Sequence, residues 1–211
     1  ELGFYDLRVP ATREKQAELA KLAGIESFMY WHYWTGGHKV LNEVLEDVVR
    51  TKKPDMGFSL CWANHSWTKC AWNGFDKTTM LMKQKYPGAE DHKKHFYDLL
   101  ETFKDERYTR VKGKLLFGIF SPLDIPNINQ FISQWNQLAY DNGLNGFYFV
   151  ALNKNRTKAK ELLSFGYDAV IEDLMGDFRQ SCYAYTGLPY RILRKFFGIV
   201  FGNNYKDYCD Y

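Results

Sequence analysis

Short apolar runs alternate along this chain with segments whose apolar residues recur every three or four positions, and no other feature limits its fold so sharply. The runs are "IESFMYWH" (25–32), "MGFSLCWA" (56–63), "KGKLLFGIFS" (112–121), "GFYFVAL" (146–152) and "DAVIED" (168–173), all of strand length. Residues 11–23, 38–52, 90–105, 127–142 and 156–166 carry helical spacing; Gly24 closes the first of these segments and Pro54 the second. Strands apolar on both faces and separated by helices predict a parallel sheet wrapped by helices. A doubly wound sheet and a (β/α)₈ barrel both satisfy that pattern. No Gly-rich phosphate loop follows any strand, and the unusual residues gather at strand C-terminal ends, which selects the barrel. The expected fold is α/β, a (β/α)₈ TIM-type barrel present as a partial barrel without its first and last strands. One domain over 1–211 is expected. Its first residues, "ELGFYDLRVP", lack a starting Met and any signal-peptide pattern, so the chain reads as a fragment of a longer one.

The aromatic share of 18% is high, and five tryptophans fall in two knots, "YWHYW" (30–34) and "CWANHSWTKCAW" (61–72). A net charge of +3 is too small to indicate nucleic acid. Cys61, Cys70, Cys182 and Cys209 form no CxxC pair and have no His at zinc spacing, so neither a metal site nor a disulfide scaffold is expected. No cofactor is expected either. Reduced thiols suit a cytoplasmic setting, and no apolar run is long enough to span a bilayer. "YRILRKFFGIV" (190–200) mixes basic and aromatic residues, as a helix in peripheral contact with a membrane would; an outer barrel helix explains it equally.

Several ordered motifs resemble the WbsX-like glycosyltransferase family, also described as a glycoside hydrolase family 99-like domain. They are "YDLR" (5–8), "QAELAKLAGI" (16–25), "YWHYW", "CWANHSWT", "QKY" (84–86), "FKDERY" (103–108) and "GKLLFGIFSP" (113–122). The resemblance reaches about Asp173. It implies a barrel acting on glycans as a glycosyltransferase or an endo-acting glycosidase, with bacterial surface polysaccharide or oligosaccharide as substrate. It also implies that the principal acids belong to a "NEWxEG"-like segment this sequence lacks. Where many members read "WANENWT", His65 replaces a Glu, which leaves a non-catalytic, glycan-binding barrel remnant as the alternative.

Sugar rings present C–H patches on their faces and hydroxyls at their edges, so a glycan site combines flat aromatic platforms with polar donors and acceptors. On that chemistry the substrate-binding candidates are Tyr30, His32, Tyr33, Trp62, Asn64, His65, Trp67 and Trp72. Strand alternation separates Tyr30 and His32 from Trp31 and Tyr33, and Trp31 and Trp135 are expected to pack in the core. Glu172 and Asp173 end the last apolar run, where barrels place catalytic carboxylates; a helix cap and an exposed charge explain them as well. Asp6 and Arg8 offer an anion clamp or a structural pair. His38, His92 and His95 are expected to be solvated, the last two on a charged helix face.

Overall fold

The computed structural model describes residues 3–69, 79–153 and 158–172. In chain order the elements are α1 (Pro10–Leu22), β1 (Ser27–Thr35), β2 (His38–Val40), α2 (Glu43–Thr51), β3 (Gly57–Trp62), β4 (Trp67–Thr68) and β5 (Met80–Met82). They continue with α3 (Ala89–Asp98), α4 (Leu100–Phe103), β6 (Arg110–Val111), β7 (Lys114–Ile119), α5 (Ile128–Asp141), β8 (Phe147–Asn153), α6 (Ala159–Ser164) and β9 (Ala169–Glu172). The principal sheet runs β2-β1-β3-β7-β8-β9, with β6 paired to β7. β1, β3, β7, β8 and β9 are mutually parallel. These five strands lie side by side in sequence order, so the crossovers never reverse direction across the sheet.

The expected helix over 38–52 is divided. β1 runs on past His32 to Thr35, turns through Gly36 and Gly37, and returns as β2, with Tyr33 opposite Val40 and Thr35 opposite His38. Both glycines have positive φ, 50° and 85°, a conformation that disfavours side chains and ends the strand in a hairpin rather than a helix. The helix begins only at Glu43, with Glu43 and Glu46 in its first turn, where acidic groups complement the helix dipole. Between the second apolar run and the third helical segment, residues 64–69 and 79–89 include the β4–β5 pair, Trp67 facing Met82 and Thr68 facing Met80.

One continuous core lies between the sheet and the helices. Alternate residues of each strand point into it: Phe58, Leu60 and Trp62 from β3; Leu115, Phe117 and Ile119 from β7; Phe147, Phe149 and Ala151 from β8. α3 supplies Phe96, and α5 supplies Phe131, Trp135 and Leu138. Trp135 is fully buried, as expected, and its Nε1 donates to the His92 carbonyl at 3.0 Å. A smaller cluster of Ala17, Ala20 and Met56, with Phe28 against it, seats α1 on the sheet.

Candidate functional site

Alternation gives the sheet two faces, and the contacts settle which residues belong to each. Tyr30, His32 and Trp34 of β1 point toward the helices. Tyr30 packs on the main core and meets Phe58 edge-on, and Trp34 belongs to that core. Trp31 and Tyr33 point the other way. Trp31 was expected to be core; it is 49% exposed, because the core-facing positions of β1 are the even-numbered ones. Its indole meets Phe120, just past β7, edge-on at 5.3 Å. His65 lies over the same Phe120 ring at 4.8 Å, and Tyr33 meets Trp67 edge-on at 5.0 Å. Trp31, Tyr33, His65, Trp67 and Phe120 therefore bring two aromatic corners to the strand C-terminal ends, on the face away from the helices.

The frame beneath them is densely bonded. Asn64, fully buried, donates from Nδ2 to Tyr86 Oη at 2.9 Å and to the Ser121 carbonyl at 2.8 Å. Its Oδ1 accepts the Ser121 N–H at 2.8 Å, and Tyr86 Oη donates to the Asn64 carbonyl at 2.9 Å. Burial pushes the Tyr86 phenol up to about 12, against the Asn64 bond, so it stays protonated and keeps that donor role. Nearby, Trp62 Nε1 and Gln84 Nε2 both donate to the Trp34 carbonyl at 3.0 Å. The Gln84 N–H donates to Ser66 Oγ, and Thr35 Oγ1 donates to the Lys83 carbonyl, each at 3.0 Å. Residues 83–86 thus lace the end of β1 to the turn after β3.

This arrangement divides the sequence candidates. Tyr33, His65 and Trp67 share the outward face. Tyr30 is half-buried against the core, while His32, Trp62 and Asn64 are buried on the helix side or in the frame. Asn64 spends its side-chain hydrogen bonds inside the protein, holding the turn that carries His65. Backbone pairing sets Glu172 beside Asn153 at the strand ends. Trp72, Asp173 and segment 190–200 lie outside the described residues.

Two other expectations are corrected. His92 and His95 are not solvated: they are 6% and 0% exposed, because both lie on the face of α3 that also carries Phe96 into the core. His95 Nε2 is 2.8 Å from His32 Nε2, and its ring stacks on Trp34, with centroids 4.7 Å apart and planes 3° apart. Burial, helped by Lys39, holds His32 down at about 3, and burial lowers His92 and His95 too, so all three imidazoles are neutral near pH 7. His38 is exposed, as expected, but on a strand. Arg8 is taken by Asp6 in an exposed two-pronged pair, Nε to Oδ1 and Nη2 to Oδ2, whose hydrogen bonds lower the Asp6 carboxyl to about 2.

The sequence reading missed Phe120, Trp31, Tyr86 and Gln84. "QKY" and "GKLLFGIFSP" contained three of them, but their roles depend on partners distant in sequence. Among the described residues no group of three or more His, Cys, Asp or Glu side chains is placed to hold a metal ion. No described helix is long and apolar enough to cross a membrane.

Comparison with known proteins gives a consistent picture. The family described as Glycosyltransferase WbsX matches residues 1–192. Uncharacterized protein WxcX of Xanthomonas campestris pv. campestris, from strain B100, is 26% identical over 173 residues, covering 82% of this chain and 24% of that protein. A WxcX from a second strain of the same pathovar matches equally. In three dimensions the chain is similar to the GH99 endo-alpha-mannosidase from Bacteroides thetaiotaomicron, with TM-score 0.55, 14% identity, and coverage of 81% of this chain and 45% of that one. A structure titled "Glycoside hydrolase-like protein" matches with TM-score 0.56 and 16% identity over 82% of this chain and 52% of that one. The chain spans about a quarter of its curated relatives and about half of these structures.

Proposed function

The chain belongs to the WbsX glycosyltransferase family, and from that membership we propose that it is the sugar-binding portion of a carbohydrate-active (β/α)₈ barrel enzyme. Its substrate is proposed to be a bacterial surface polysaccharide or oligosaccharide. The observation that carries this reading is the outward aromatic face at the strand C-terminal ends, the side on which barrel enzymes build their sites. Each perpendicular ring pair offers a flat indole or phenyl platform with a second ring as a side wall, the shape that receives the C–H face of a pyranose. His65 and Tyr33 add hydrogen-bonding groups at the rim.

The parallel strands in unreversed order support a partial barrel. So does exposure of Met29, Trp31 and Ile171 on the face opposite the helices, where further strands would close the barrel over them. The positions on that face are Ser27, Met29, Trp31, Tyr33 and Thr35 of β1, Gly57, Ser59 and Cys61 of β3, Lys114, Leu116 and Gly118 of β7, Tyr148, Val150 and Leu152 of β8, and Ala169 and Ile171 of β9. None is a carboxylic acid. Chemistry at a glycosidic bond therefore draws on residues at the strand ends, with Glu172 and Asp173 as the candidates in this chain, or on parts of the longer protein. The same observation favours the second reading, a glycan-binding barrel that does no catalysis.

A glycan array probed with the protein and with its Trp31→Ala and Trp67→Ala variants tests the proposal. The expected result is binding to a subset of bacterial glycans that drops at least tenfold in both variants. Undiminished binding in both folded variants would remove the aromatic face from the site. Turnover of a bound glycan by the full-length protein separates the enzyme from the binding module.

A further inference from the structure

His32 and His95 face each other at the centre of a cage of rings. His95 stacks on Trp34 and meets Trp62 and Trp135 edge-on at 4.9 and 5.0 Å. The two Nε2 atoms are 2.8 Å apart, so one hydrogen lies between them and the imidazoles hold complementary tautomers. Among the described residues neither His95 Nδ1 nor His92 Nδ1 has a hydrogen-bond partner. An added proton on His95 would have no acceptor among the described residues, at a site packed shut against water.

The charged surroundings do not offset this. From β2, Lys39 faces the pair, and its ammonium is bound to Glu46 of α2 at 2.7 Å and Asp98 of α3 at 3.1 Å. From α3, Asp91 accepts the Trp34 indole N–H at 3.0 Å, and neutral His92 lies one turn away. Tyr86, before α3, meets Trp62 edge-on at 5.8 Å. β3 and α5 present Trp62, Phe131 and Trp135, which do not ionise. Among the described residues no carboxylate lies against either imidazole.

We propose that the His32–His95 contact is an acid-release latch: neutral, it clamps α3 to the β1 hairpin, and on protonation it opens and unframes the aromatic face. The hairpin carries Tyr33 of that face, and the Trp34 carbonyl anchors both Trp62 and Gln84, so freeing α3 from β1 loosens the strand ends. The sign follows from linkage. A histidine held below its ordinary value of 6.5 favours the closed form fully above 6.5, and that advantage falls as pH drops through 6.5 toward the folded value. Each such imidazole changes the closed-to-open ratio by about tenfold per pH unit in that window.

The test is side-chain nitrogen NMR of His32 and His95 in the intact protein from pH 7.5 to 4.5, with amide hydrogen exchange of α3 and α5 over the same range. Neutral-imidazole signals persisting below pH 6 are expected. After correction for intrinsic rates, α3 opening should grow by about a hundredfold per pH unit from the pair, with buried His92 on the same helix adding up to about tenfold, while α5, which carries no histidine, changes less. His95→Gln keeps a hydrogen-bonding group toward His32 but cannot ionise, and should remove about tenfold per pH unit from the α3 slope, leaving the part due to His32 and His92. Three results would each overturn the latch. One is titration of either imidazole at or above 6.5 in the folded protein, as stacking of an imidazolium on Trp34 would produce. The others are α3 exchange that is flat with pH and a full slope retained in His95→Gln; the native titration decides the matter even if that variant fails to fold.

Discussion

Tyr33 and Trp67 meet edge to face, 5.0 Å apart, joining the end of β1 to the short strand after β3. Such a pair contributes about 0.5–1.5 kcal/mol beyond its buried area, and it fixes one wall of the proposed sugar site. Trp67→Ala should lower stability by about 1–2 kcal/mol while weakening glycan binding tenfold or more. Tyr33→Phe, which keeps the ring, should leave stability within about 0.5 kcal/mol. Thermal melts and binding titrations on the two variants measure both effects.

Asn64 is expected to be the most sensitive polar position in the frame. Asn64→Ala removes both halves of its pairing with Ser121 and leaves that buried backbone without its partner. The expected loss is about 2–4 kcal/mol, from several bonds near 1 kcal/mol each plus an unsatisfied group. Asn64→Asp keeps an acceptor for the Ser121 N–H but turns a carboxylate oxygen toward the Ser121 carbonyl in a fully buried site, and should be no more stable than Asn64→Ala. Urea unfolding of the three proteins checks the order.

Gly118 of β7 has no room for a side chain. A Cβ there would lie 3.0 Å from Cys61 Sγ and 3.1 Å from Cys61 Cβ, with Met29 Sδ at 3.3 Å. Because Cys61 belongs to the adjacent strand, Gly118→Ala must push the sheet apart locally, at about 1–3 kcal/mol. Pairing it with Cys61→Ala, which removes the sulfur but not Cβ, should recover part of that loss. A double-mutant cycle in urea gives the coupling.

Asp105 sets a second, more acidic pH limit. It accepts from Arg107 Nε at 3.1 Å and Nη2 at 2.7 Å, and from Lys52 Nζ at 3.0 Å. Burial alone would raise its carboxyl; these bonds outweigh burial and bring it from 3.8 down to about 2. A depressed carboxylate stabilises the fold above its unfolded value and loses that contribution as pH falls from about 3.8 to about 2. Asp105→Asn should abolish this part of the acid transition and lower stability at pH 7 by about 1.5–3 kcal/mol. Acid titrations followed by circular dichroism distinguish it from the histidine window above it.

The legible part of the fold was its periodicity. Every expected strand is present, because apolar runs such as "KLLFGI" can be satisfied only in a sheet covered on its faces. The β1–β2 hairpin escaped notice because "HKV" is too short and polar to declare a strand, although Gly36-Gly37 marked the turn. His92 and His95 were misread for a similar reason. Lys93 and Lys94 between them suggest a charged face, yet His92, His95, Phe96 and Leu99 follow the spacing of a buried one. Alternation showed that Tyr30 and Trp31 part company but not which of them meets the helices. That choice depends on Phe58 of β3 and Phe120 just past β7, residues distant in sequence. Asn64 looked like a sugar ligand for the same reason: its partners, Tyr86 and Ser121, are remote in sequence.

The central claim is that sugars are received on the outward face at the strand ends. The most direct measurement is the shift of each indole N–H resonance on titrating the strongest glycan from the array. The account predicts the largest changes at Trp31 and Trp67, with Trp34, Trp62 and Trp135 nearly still, since those three N–H groups are already bonded to Asp91, Trp34 and His92. Largest changes at the three buried indoles, with Trp31 and Trp67 unmoved, would contradict it.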